Sequence, residues 1–267
     1  MVTAYWELQS DPFSKSVACK TPFESEDFKQ ASARLKHLTE IKGIGLITGN
    51  AGYGKTFVLK NFTGSLNPSL FKTVYLPLST VTVLEFFRAV ALGLGIEPPY
   101  KKIDLFNAIQ ERILSLSKDK RITPVIMLDE GQYLCNKILN DLKIILNFGM
   151  DSENHAVIVI SGQSTLANTL SMQAHEALAQ RVVINYTFNG LSKTEMAGYI
   201  GSRLKSCGAR DGIFAENALE ALWGCSGGSP RVVNSLAEKC LMIGFQKHAK
   251  VIDPEIVMLA KNEISLV

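Results

Sequence analysis

The chain has 267 residues, 46% of them hydrophobic, and a net charge of +3. That length buries a sizeable core, as one large domain or as a domain with a small appendage. The start, MVTAYWELQSDPFSK, has no basic stretch followed by an apolar run and does not read as a secretory signal. The most apolar window, Val81 to Ile96, is interrupted by Glu85 and Arg88 and is too short to span a bilayer. A cytoplasmic protein with no membrane association is expected. The five cysteines lie far apart without zinc-ligand spacing and read as reduced, mostly buried thiols. The mild positive charge permits nucleic-acid binding without demanding it.

In chain order, the first expected helix runs from about Ser25 to Ile41, with Phe28, Ala31, Leu35 and Leu38 on one face. Ile44 to Thr48 reads as the first strand, and Lys72 to Leu76 as the second. Thr82 and Glu85 form a capping-box pattern that starts another helix. A further helix follows Pro98-Pro99, with Leu105, Ile109, Ile113 and Leu116 on its stripe. Thr123 to Leu128 and Ala156 to Ile160 are nearly continuous apolar runs, as strands buried on both faces require. Val182 to Tyr186 reads as a fifth strand. This alternation from about Gly43 to Tyr186 is the pattern of a parallel sheet covered by helices. Beyond Leu191 the patterns are helical: a second capping box at Ser192 and Glu195, then segments near Glu216 to Trp223, Pro230 to Lys247 and Pro254 to Glu263. The expected division is 1–190, an α/β domain with an N-terminal linker and helix, and 191–267, a small helical domain.

Between the first strand and the amphipathic segment Phe57 to Phe62 lie Gly49, Asn50, Ala51, Gly52, Tyr53, Gly54, Lys55 and Thr56. They match G-x-x-x-x-G-K-[ST] in full, in the right context. Glycines let backbone N–H groups wrap phosphate oxygens, and the following helix, opened by Phe57, turns its positive end toward them. Lys55 is expected to bridge the β- and γ-phosphates of ATP, and the Thr56 hydroxyl to ligate Mg2+. The strand Val125 to Leu128 ends in Asp129 and Glu130. Asp129 is expected to hold the metal's water shell, and Glu130 to polarise the attacking water as general base. The adjacent acids argue for hydrolysis.

The strand Ala156 to Ile160 should lie between these two and ends in Ser161, Gly162 and Gln163. Ser161 or Gln163 is placed to bond the γ-phosphate or the lytic water; the alternative is a polar strand-to-helix turn. Arg181 precedes the fifth strand, where it either reaches a neighbouring subunit's ATP or is an ordinary surface arginine. Arg231, in Gly227-Gly228-Ser229-Pro230-Arg231, opens a helix, where a cation is mildly disfavoured and a functional reason gains weight.

This order of motifs resembles AAA+ ATPases. The stretches Tyr5–Phe13, Phe23-Glu24-Ser25, Gly43–Thr56, Ser161-Gly162-Gln163, Leu178–Val182 and Gly227–Arg231 are similar to the ExeA-type and transposition-helper (TniB- and TnsC-like) branch. The resemblance covers nearly the whole chain. It implies a P-loop NTPase with a parallel five-stranded sheet of order 5-1-4-3-2 and a helical lid. Ser161 or Gln163 would be sensor one, Arg181 the arginine finger and Arg231 sensor two, with nucleotide between subunits of a ring or helical filament. Pro12 and Phe13 would lie near the adenine. Tyr53 is bulkier than the residues usual at its position, which bears on turnover rate.

Two jobs follow from this branch. ExeA-type secretion ATPases continue into a membrane span and a cell-wall-binding region, which this sequence does not contain. The leading expectation is therefore a transposition helper: an ATPase that oligomerises on duplex DNA, independently of sequence, and presents it to a transposase, with a target-selection adaptor as a further partner. The alternative is a secretion or envelope-assembly ATPase without DNA binding; a nucleotide sensor in which Glu130 does no chemistry is a third. Expected DNA contacts are Ser79, Thr80, Lys101 and Lys102, with a further basic cluster at Lys118, Lys120 and Arg121. No helix-turn-helix or zinc-finger pattern supports base readout.

Overall fold

The computed structural model describes residues 1–14, 22–77, 81–148 and 153–264. Ser79, Thr80 and Cys19 lie outside the described residues. The chain forms two compact units: Gln30–Asn50 with Lys55–Phe188, and Met1–Lys29 with Ala51–Gly54 and Asn189–Val267.

The first unit is the α/β one. The short helix α1 (Val2–Tyr5) belongs to the other unit; here helix α2 (Glu26–Ile41) leads into β1 (Gly43–Gly49) and α3 (Lys55–Ser65). Then come β2 (Phe71–Leu76), α4 (Val83–Leu94), α5 (Lys102–Leu114), β3 (Thr123–Leu128), α6 (Asn136–Ile145) and β4 (Val157–Gly162). Two short helices, α7 (Ser164–Leu170) and α8 (Glu176–Ala179), precede β5 (Val182–Phe188). The strands form one sheet in the order β2-β3-β4-β1-β5, all paired in parallel. Read from the other edge, this is 5-1-4-3-2, as the resemblance implies.

The central strands β1, β3 and β4 are buried almost throughout, because helices cover both faces of a parallel sheet. Close approach is built in at two glycines. A Cβ on Gly45 would come 2.5 Å from Leu38 of α2, and one on Gly93 would come 2.3 Å from Val74, so α4 lies directly on β2. The expected capping box at Thr82 and Glu85 is present, and it fixes the start of α4. Leu105, Ile109 and Ile113 are fully buried along α5. The helix widens into a π-turn at Ser115–Asp119, so Leu116 joins the core from outside the regular stripe.

The second unit carries α9 (Lys193–Lys205), α10 (Glu216–Ser226), α11 (Pro230–Gln246) and α12 (Pro254–Ile264). The Ser192–Glu195 capping box is present, and Pro230 and Pro254 each open a helix. An isolated parallel bridge, Phe214 to Ile252, interrupts the otherwise helical pattern. The described residues before Gln30, read from sequence with the α/β part, group with this unit instead. Trp6 is fully buried, and its Nε1–H donates to the Leu241 carbonyl at 2.9 Å. Gly244 opens the slot: a Cβ there would come 2.8 Å from the indole. Trp6→Ala should cost about 3–5 kcal/mol, chiefly through the cavity left by the indole. The check is the urea midpoint of the 222 nm transition. An unchanged midpoint would mean that the indole is not anchoring this unit.

Cys207 and Cys240 are buried free thiols, and burial pushes Cys240 up to about 12. Among the described residues no helix is long and apolar enough to cross a membrane.

Candidate functional site

In the α/β unit, β1 delivers its last residue, Gly49, with φ 148°, and a Cβ there would come 2.7 Å from Phe188 Cβ. Only glycine lets the chain turn away so close to β5. Gly52 and Gly54 also have positive φ; nothing lies within 4 Å of a Cβ at Gly54, whereas one at Gly52 would come 2.7 Å from Ser229 Oγ. Helix α3 begins at Lys55, which leaves the N–H groups of its first turn without intrahelical partners, as an anion site needs. Lys55 is 92% buried, and its Nζ donates to the carbonyls of Gly49 (2.7 Å) and Asn50 (2.9 Å). Those two bonds offset the desolvation of the ammonium.

Beside the loop, Asp129 ends β3 and is buried. Its Oδ2 accepts the hydroxyls of Thr56 (2.7 Å) and Tyr75 (3.0 Å), and its Oδ1 accepts the Glu130 N–H (3.0 Å). The expected Thr56–Asp129 pair is therefore together. Tyr75 is the partner that sequence reasoning missed. It stands on β2, next to β3 in the sheet, and only the strand order reveals that its phenol meets the carboxylate. Burial, then the Asp129 charge, pushes the Tyr75 hydroxyl up to about 12, so it stays a donor through neutral pH.

Glu130 is exposed and has φ 54°, a left-handed conformation that costs a non-glycine residue about 1–3 kcal/mol and that its surroundings must hold. Its Oε2 accepts from Gln132 Nε2 at 2.6 Å, and Gln132 Oε1 accepts the Gln163 N–H at 2.9 Å. Gln163 caps α7, whereas Ser161 lies inside β4, fully buried, with no hydrogen-bond partner for its Oγ. Ser164 Oγ donates to Asn50 Oδ1 of the phosphate loop at 3.4 Å. Arg181 is half-buried and donates to the Lys143 carbonyl, one of the free carbonyls at the end of α6.

In the second unit, Arg231 is exposed in the first turn of α11, and its N–H donates to the Gly52 carbonyl at 3.3 Å. The Tyr53 hydroxyl donates to the Gly227 carbonyl at 3.2 Å, which gives the bulky side chain a defined place. Pro12 and Phe13 are buried, Phe13 within the helical core.

The donor set fits a magnesium nucleotide: a hydroxyl and a buried carboxylate are hard oxygen ligands, and a glycine-lined loop with a lysine opens a helix beside them. A protein-family model described as AAA domain matches residues 39–204, more than half of the chain. The chain belongs to the AAA domain family. This AAA domain is 30% identical over 271 residues to General secretion pathway protein A of Aeromonas hydrophila, covering 99% of the chain and 49% of the relative. It thus spans about half the length of the curated relative it matches. Solved structures share the fold: Cdc6p of Pyrobaculum aerophilum (TM-score 0.74, 17% identity, 97% of this chain and 72% of that one) and the Aeropyrum pernix Orc1 protein in complex with DNA (0.65, 16%, 95% and 68%). The Thermotoga maritima RuvB branch-migration motor is a third (0.58, 18%, 96% and 74%).

Within this AAA domain, Tyr75→Phe removes a donor from the carboxylate that would hold the metal. Asp129 keeps its Thr56 and backbone bonds, so the fold should hold. The Mg2+ concentration for half-maximal nucleotide binding should change about 3- to 10-fold, from the loss of one hydrogen bond to a charged group. Titration of Mg2+ at fixed nucleotide checks this, and an unchanged midpoint would make Tyr75 a bystander.

Of the DNA candidates, Lys102 pairs with Asp141 at 2.5 Å on the surface, and Lys101 is exposed at the start of α5. Lys118 pairs with Glu153 at 2.8 Å.

Proposed function

We propose that this AAA+ chain binds Mg-ATP at residues 49–57, hydrolyses it, and serves as the ATPase part of a secretion or envelope-assembly apparatus. The observation that carries the catalytic reading is the Thr56 hydroxyl on Asp129 Oδ2, one residue beyond buried Lys55. The likeness to General secretion pathway protein A over nearly the whole chain supports the cellular role.

In this reading Lys55 and the loop N–H groups hold the β- and γ-phosphate oxygens. Thr56 and Asp129 hold Mg2+, which when bound neutralises charge developing on the phosphoryl oxygens. Glu130 orients the attacking water and accepts its proton. Gln163 is favoured over Ser161 as first sensor, because Ser161 is shut off from solvent while Gln163 is partly exposed at the end of β4. Arg231, bonded through its N–H to the loop carbonyl of Gly52, is the second sensor. Arg181 is the finger for a neighbouring copy, which makes a homo-oligomer the active form.

The test uses one preparation. Phosphate release from Mg-ATP is measured, then binding to envelope vesicles and to unrelated DNA duplexes at low salt. Hydrolysis with envelope association and no ATP-dependent duplex shift is the expected outcome. A strong ATP-dependent shift without envelope association would return the chain to the DNA-directed reading, with transposase and adaptor as partners.

A further inference from the structure

We infer that Gln132 is a positioning residue: it fixes the Glu130 carboxylate by tying it to the turn between β4 and α7. The inference rests on the proposed role of Glu130 as general base. A primary amide has one acceptor oxygen and one donor nitrogen on opposite sides. Gln132 Oε1 is committed to the Gln163 N–H at 2.9 Å, so its Nε2 is aimed at Glu130 Oε2, 2.6 Å away. One carboxylate oxygen is thereby held, and the other is left for the water.

A second observation is independent of these bonds. The segment carrying Gln132 lies against the end of β4 only because two side chains are missing. A Cβ on Gly162 would come 2.9 Å from Gln132 Oε1 and 3.2 Å from its backbone nitrogen. A Cβ on Gly131 would come 2.8 Å from Ile160 Cγ2 and 3.1 Å from the Ser161 carbonyl. Glu130 itself is exposed and, without the amide, has three free side-chain torsions over which to spread. Gln132 removes that freedom without adding charge. It also gives Gln163 a second function: displacement of its backbone shifts the amide, and the amide shifts the carboxylate.

Gln132→Ala should lower single-turnover hydrolysis about 10-fold, the scale expected when a catalytic group loses its placement. Affinity for a fluorescent Mg-ATP analogue and the melting temperature should stay at wild-type values. In a Glu130→Gln background the same substitution should have no further effect, because the group it positions no longer acts. A structural contribution would instead multiply through. The backbone link is tested separately. Gln163 has φ −74°, which proline accepts, so Gln163→Pro deletes the N–H while Gln163→Ala keeps it. The proline variant should fall about 10-fold below the alanine one. Wild-type turnover in Gln132→Ala, or an undiminished loss in the Glu130→Gln background, would overturn the inference alone. Wild-type turnover in Glu130→Gln would instead remove the general-base reading, and this inference with it.

Discussion

Lys55→Ala should abolish nucleotide retention. The ammonium is buried and sits on the loop's first two carbonyls, 2.7 and 2.9 Å away, at the point where α3 begins. Removing it takes away the one full positive charge that the loop itself offers to a triphosphate in a water-poor setting. Loss of a single donor to developing or fixed negative charge at such a site costs about 3–4 kcal/mol, or roughly 10²–10³-fold. The cost to folding should be small, because both carbonyls belong to a loop and water can replace the ammonium. Calorimetric titration with Mg-ATP, alongside a thermal melt, separates the two effects. Affinity within twofold of wild type in a folded variant would end the nucleotide reading of residues 49–57.

Glu130→Gln should do the opposite: keep nucleotide and lose turnover. The carboxylate touches neither Thr56 nor Lys55 in the described contacts, and an amide at residue 130 can still accept from Gln132. What disappears is the ability to take a proton from water, a contribution of about 10²–10⁴ in rate. Phosphate release should fall by that factor while the Kd for Mg-ATP holds. Undiminished release would leave Glu130 as a solvated acid at a strand end, and nucleotide binding would then act without hydrolysis.

Much of this is legible in the sequence. Buried parallel strands write themselves as apolar runs, and the expected β3 has the observed ends. The phosphate loop and the two acids are local patterns, so spacing alone exposes them. Other features required tertiary contact. Helix α6 has no such signature, because its N-cap residue, Cys135, makes no side-chain cap, although Ile138, Leu139, Leu142 and Ile145 are buried along it. The expected fourth strand stops at Ile160, yet the ladder with β1 continues through Ile47 and Thr48 and holds Ser161 and Gly162 in the strand. Tyr75 and Gln132 look ordinary in one dimension. Their meaning comes from which strands are neighbours and from the missing side chains at Gly131 and Gly162. Trp6 is the extreme case, with its partner 235 residues away.

That separation bears on how the protein is made. The α/β unit is complete once Phe188 has been synthesised, and its contacts can form as the chain emerges. The opening segment has to wait. Until Leu241 and Gly244 have been translated, the Trp6 indole has no slot to enter and remains an exposed apolar surface for most of synthesis. Nascent chains halted near residue 190 should therefore protect the sheet from protease while leaving the first residues open to cleavage, and a chaperone that captures aromatic segments would find its ligand there.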